Sequence, residues 1–127
     1  MDENLLHEAV AAALTAGADA AEAVFADRQS LSVNVRMGEL EEVEREESRD
    51  LGIRVFVGQR QAVVSGSDVS AEGRRKLIER AVAMARLAPE DPYAGFAPKA
   101  RLASGPFADF DLFDPGEPSP ETLEDQA

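Results

Sequence analysis

Cysteine is absent from the 127 residues, and histidine occurs once, at His7. Without thiols there can be no disulfide, no thiolate nucleophile and no cysteine-ligated metal. Positive charge is also scarce. Thirteen Lys and Arg face 25 Asp and Glu, a net charge of −12. Affinity for nucleic acid rests largely on neutralising phosphates with basic side chains, so a direct nucleic-acid partner is excluded. No apolar run approaches the roughly 20 residues that a membrane span requires. The opening Met1-Asp2-Glu3-Asn4 is acidic, whereas a secretory signal begins with a basic stretch and an apolar block. A cytoplasmic protein with no membrane partner is therefore expected. The sequence also lacks a glycine-rich phosphate loop, a nucleophile elbow and a dinucleotide fingerprint.

Proline is missing from residues 1–88, and all seven prolines lie between Pro89 and Pro120. Only the first part can form uninterrupted helices and central strands. Within it, Leu5, Leu6, Ala9, Val10, Ala13 and Leu14 recur on one helical face, predicting a helix over 3–16 that Gly17 ends. A second helix is expected over about 70–87, with Ser70 as cap, Leu77, Ile78, Ala81, Val82 and Ala85 as its apolar face, and Pro89 beyond its end.

Between the helices lie four or five strand-like runs. The first, Ala21 to Gln29, carries three alanines and Glu22, a composition that favours strands least. Leu31, Val33, Val35 and Met37 then alternate with Ser32, Asn34 and Arg36. Gly38-Glu39 turns the chain into Leu40 to Ser48, where the spacing of Leu40 and Val43 suggests a bulge near Glu41-Glu42. Leu51, Ile53, Val55 and Val57 alternate again, and a turn at 58–60 leads to Gln61–Ser67. Loops this short join antiparallel neighbours. The expected fold is α+β: an antiparallel sheet of four to five strands with both helices on one face, in the order α-β-β-β-β(-β)-α.

Residues 89–127 are rich in proline and acid, with no basic residue after Arg101. They also hold five of the seven aromatic residues: Tyr93, Phe96, Phe107, Phe110 and Phe113. Aromatics at intervals are unusual in a solvated linker and suggest an extended strap that docks on a surface. The end, Pro118 to Glu124, reads as the start of a helix capped near Ser119. The expected organisation is an α+β domain over 1–88 and a strap over 89–127 leading to a C-terminal domain outside this chain. The chain thus reads as a fragment of a longer protein.

Two clusters invite a chemical reading. His7-Glu8 resembles the opening of a zinc-peptidase helix, but such a motif needs a second histidine one turn later. Positions 11 and 12 are both alanine, so His7 reads as a surface residue. Glu39 to Asp50 holds seven acids and two arginines. Paired carboxylates can serve as acid and base or bind a hard cation. Acids interspersed with arginine along a strand are more often a solvated face, or an edge guarded by charge. No catalytic, cofactor-binding or metal-ligating residue is assigned in this chain.

The stretches Gly17 to Ala23, Leu31 to Glu41, Leu51 to Ala62, Ser67 to Ser70 and Ala88 to Gly95 resemble, in order, the opening of the TldD/PmbA family, once called modulators of DNA gyrase. The likeness covers about residues 5–125. Arg54-Val55-Phe56-Val57-Gly58 and Glu90 to Gly95 are most similar to the PmbA (TldE) branch. The resemblance implies a non-catalytic N-terminal domain of a heterodimeric metallopeptidase. In such a pair a TldD-like partner holds the metal, zinc, through a His-Glu-x-x-x-His motif that this chain lacks. It further implies peptide or unfolded substrates, including bacteriocin precursors and antitoxins. The partners would be the TldD-like subunit and the chain's own C-terminal domain. The alternative is a stand-alone acidic module that regulates a DNA enzyme such as gyrase.

Overall fold

The computed structural model describes residues 3–127. The elements in chain order are α1 (Glu3–Thr15), β1 (Ala20–Arg36), β2 (Glu39–Val57), β3 (Arg60–Gly66), α2 (Ala71–Leu87), a short 3-10 turn (Lys99–Arg101) and α3 (Pro120–Gln126). The class is α+β, with one sheet in the order β1-β2-β3. β2 and β3 pair antiparallel, with Leu51 opposite Gly66, Ile53 opposite Val64 and Val55 opposite Ala62.

The sheet has three strands rather than four to five. Ser30 and Arg49-Asp50 fall between the expected runs, yet the backbone stays extended through both. Two pairs of expected runs therefore merge into strands of 17 and 19 residues. Polar residues do not end a strand whose backbone groups remain paired.

The chain divides into two compact units. One contains the residues up to Arg28 together with Ser48–Phe96; the other contains Gln29–Glu47 and Ala97–Ala127. β1 and β2 each contribute to both.

The first unit holds the hydrophobic core. Leu51, Ile53 and Val55 from β2, Ala62 and Val64 from β3, Ala9 and Ala13 from α1, and Leu77, Ile78, Ala81, Val82 and Ala85 from α2 form one buried cluster. Burying a residue the size of Leu, Ile or Val contributes about 1.5–3 kcal/mol. Alanines at the helix positions let both helices approach the same sheet face closely.

The helix ends are specified locally. After α1, Gly17 N–H donates to the Leu14 carbonyl (3.1 Å) and Ala18 N–H to the Ala13 carbonyl (3.0 Å). Gly17 sits at φ +104°. This is the paired Schellman closure, which needs a left-handed residue and so favours glycine. Ser70 caps α2 by accepting from Gly73 N–H at 3.1 Å.

The opposite sheet face is partly covered. Phe56 is buried there, its ring centroid 5.0 Å from that of Phe96 in an edge-on arrangement. Asp91 N–H donates to the Gln59 carbonyl at 2.8 Å, fixing the approach of this segment. Of the five aromatics in the tail, Phe96 makes this contact, while Tyr93, Phe107, Phe110 and Phe113 are largely exposed. α3 forms over seven residues, and Ser119 caps it by accepting from Thr122 N–H at 3.2 Å.

Candidate functional site

His7 lies exposed on α1, in keeping with a surface role. The acidic run from Glu39 to Glu47 is exposed throughout. It lies on the part of β2 that precedes the pairing with β3, which runs only from Leu51 to Val57. β1 therefore flanks the acids on one side and, among the described residues, no strand flanks them on the other: they form a solvated, charged edge. Leu40 and Val43, whose spacing looked irregular, are both exposed. With no buried face to serve, nothing demands strict alternation there.

Three concave features stand out among the described residues of the first unit. Between α1 and α2 runs a trough of about 490 Å³, floored by Ala9, Ala12, Ala16 and Ile78 and rimmed by Glu8, Arg74, Arg75 and Glu79. Arg75 is held by Glu72 (2.8 Å) and Glu79 (2.6 Å), which strengthens its hold on its proton. Over the outer sheet face, Val24, Gly52 and Val63 line a shallow depression beside Arg54. The Arg54 guanidinium is paired with Glu22 at 2.6 Å and stands 5.1 Å from the Phe56 ring centre.

The third feature lies at the start of α2, where helix N–H groups would ordinarily attract an anion. Asp68 already occupies that position. Its carboxylate accepts from Ser70 N–H at 3.1 Å, and hydrogen bonds from Ser70 hold its pKa below the usual carboxylate value.

What the fold leaves open is a strand. β1 lies at the sheet edge, with β2 on one side and, among the described residues, no strand on the other. Among the described residues, no backbone hydrogen bond beyond the sheet itself involves Ala20–Arg36. The edge was not legible in the sequence, because strand order is set by which runs merge and pair. The signal that could have exposed it is the lack of charge from Gln29 to Val35.

The profile described as PmbA/TldA metallopeptidase domain 1 matches residues 21–85, more than half of the chain. The metalloprotease PmbA of Escherichia coli O157:H7 is 37% identical over 120 residues, spanning 92% of this chain and 26% of the relative. A metalloprotease PmbA homolog of Haemophilus influenzae is 38% identical over 95 residues, spanning 75% of this chain and 21% of its own length. The chain therefore spans about a quarter of the curated relatives it matches.

Among solved structures, a protein of Bacteroides thetaiotaomicron designated a modulator of DNA gyrase aligns with a TM-score of 0.82 at 21% identity. That alignment covers 91% of this chain and 26% of that one. TldE from Thermococcus kodakarensis aligns with a TM-score of 0.72 at 17% identity, over 92% and 26% respectively. These two likenesses concern the fold.

The relatives' names imply a metal. Among the described residues no group of three or more His, Cys, Asp or Glu is arranged to hold one. The described side chains do not fit a metallopeptidase centre, and no chemical step is assigned to them. No helix among the described residues is long and apolar enough to cross a membrane.

Proposed function

The chain belongs to the PmbA/TldD metallopeptidase family, and from that premise we propose that it is a non-catalytic N-terminal domain that handles extended peptide or unfolded substrate for the catalytic assembly. Residues 1–88 supply its α+β body, and 89–127 lead toward the remainder of a longer cytoplasmic protein. A TldD-like subunit is the proposed partner and bears the metal.

The observation that carries this reading is the open edge of β1, 17 residues long. Such an edge binds an extended chain by main-chain pairing, which demands little of the substrate's sequence. That property suits a domain serving peptide or unfolded substrates.

Adding an unstructured peptide in excess to the isotope-labelled chain is expected to shift backbone amide signals of β1, and to leave those of α2 in place. If no β1 amide moves, the peptide-handling role is wrong. The alternative of a DNA-enzyme regulator that mimics nucleic acid is less well supported, because its acids should spread over one exposed face. Here they run along both faces of a single strand and along the tail.

A further inference from the structure

Sheets defend their edges with lysine, proline, bulges or short length, because unpaired N–H and C=O groups template another strand. β1 does the reverse. From Gln29 to Val35 its sequence is Gln-Ser-Leu-Ser-Val-Asn-Val, with no charge, no proline and no glycine. The charge stands on the neighbouring β2, whose far side is not paired with β3 before Leu51. Over Gln29–Glu47, six glutamates, all on β2, face two arginines, a net charge of −4.

Little within the hairpin neutralises those acids. Arg36 pairs with Glu41 at 3.4 Å and Arg45 with Glu47 at 3.2 Å. Among the described residues, Glu39, Glu44 and Glu46 have no ion-pair partner, and Glu42 accepts from the Asn34 amide at 3.3 Å. That contact puts Asn34 on the same sheet face as Glu42. The two-residue period then adds Ser30 and Ser32 on β1, and Glu44 and Glu46 on β2. The other face of β1 carries Leu31, Val33 and Val35, each half-buried, and at its start Gly116, Glu117 and Pro118 line a hollow with Gln29, Ser30 and Leu31.

Resting on the peptide-pairing reading above, we propose that the outer edge of β1 at Gln29–Val35 selects an extended segment in which apolar and cationic residues alternate. A strand added there lies about 4.8 Å from β1 and about 10 Å from β2. That is near one screening length at about 0.1 M salt. On one face, Lys or Arg stems reach over the short, neutral Ser30, Ser32 and Asn34 toward Glu42, Glu44 and Glu46. On the other face, apolar side chains lie beside Leu31, Val33 and Val35. A segment with carboxylates at the cationic positions meets the same field as repulsion.

The test uses three unstructured peptides of one alternating pattern, apolar residues interleaved with Lys, Ser or Glu, titrated into the labelled chain. The Lys peptide should shift the amides of Gln29–Arg36. It should bind at least about tenfold more tightly than the Glu peptide at low ionic strength, with the gap closing as salt rises. The triple variant E42Q/E44Q/E46Q should narrow that gap and leave affinity for the Ser peptide unchanged. Equal affinity for the Lys and Glu peptides would overturn the charge preference and leave peptide pairing intact. Failure of all three to bind would overturn both. Lys-peptide shifts confined to the acidic tail around Asp109–Asp114 would overturn the placement on β1.

Discussion

Replacing Leu51 with alanine is expected to lower the free energy of unfolding by about 2–5 kcal/mol, the range for emptying an enclosed leucine site. Leu51 is fully enclosed, at 0% exposure, in the cluster that joins the sheet to both helices. Its backbone lies opposite Gly66 in the β2–β3 register, so no side chain across the strand pair can swing in to fill the void. The control is Val63→Ala. Val63 is 65% exposed on the opposite face, and its loss should change stability by no more than about 0.5 kcal/mol. Denaturant midpoints at unchanged slope measure both. Equal effects at the two positions would mean that the core is not where the structure puts it.

The second large effect reverses a familiar sign. Gly→Ala inside a helix ordinarily stabilises by about 0.5–1 kcal/mol. At Gly73 the expected outcome is a loss of about 1–3 kcal/mol, the usual range for forcing extra atoms into filled space. A Cβ on Gly73 would collide with both the carboxyl group and the carbonyl oxygen of Asp68. Moving either disturbs the cap, since Asp68 accepts from Ser70 N–H and Ser70 accepts from Gly73 N–H. Adding Asp68→Ala removes the carboxyl group but leaves the carbonyl oxygen, so the double variant should recover only part of the loss. A stabilised Gly73→Ala protein would show that the start of α2 is built differently.

These two sites differ in how far the sequence discloses them. The alternation of Leu51, Ile53 and Val55, and the helical spacing of Leu77, Ile78, Ala81, Val82 and Ala85, show a core face directly, because burial on one side imposes a period. Ser70 and Gly17 are equally legible as a cap and a stop, since each does its work within a few residues of chain. The collision between Gly73 and Asp68 depends on how the loop before α2 folds back, which no local pattern records. The strand count went astray for a related reason. Ser30 and Arg49-Asp50 fall in the gaps between apolar alternations, but pairing with the neighbouring strand holds them extended. The most consequential feature, the uncharged edge at Gln29–Val35, shows in composition only once strand order is known. The acids of Glu39–Glu47 read as an edge guard from sequence alone, and the neutral run across the hairpin attracts no notice until the pairing places it on the other edge.

Amide hydrogen exchange along β1 tests the central claim most directly, because it reads whether the strand's outer hydrogen-bonding groups are free and whether an extended chain takes them. In an edge strand of an antiparallel pair, alternate N–H groups point toward the partner strand and the remainder point outward. In the chain alone, every second amide from Gln29 to Val35 should therefore exchange nearly unprotected while its neighbours are slow. An added unstructured peptide should slow the fast set without altering the core amides of α2. Uniform protection along β1 that no peptide changes would contradict the account.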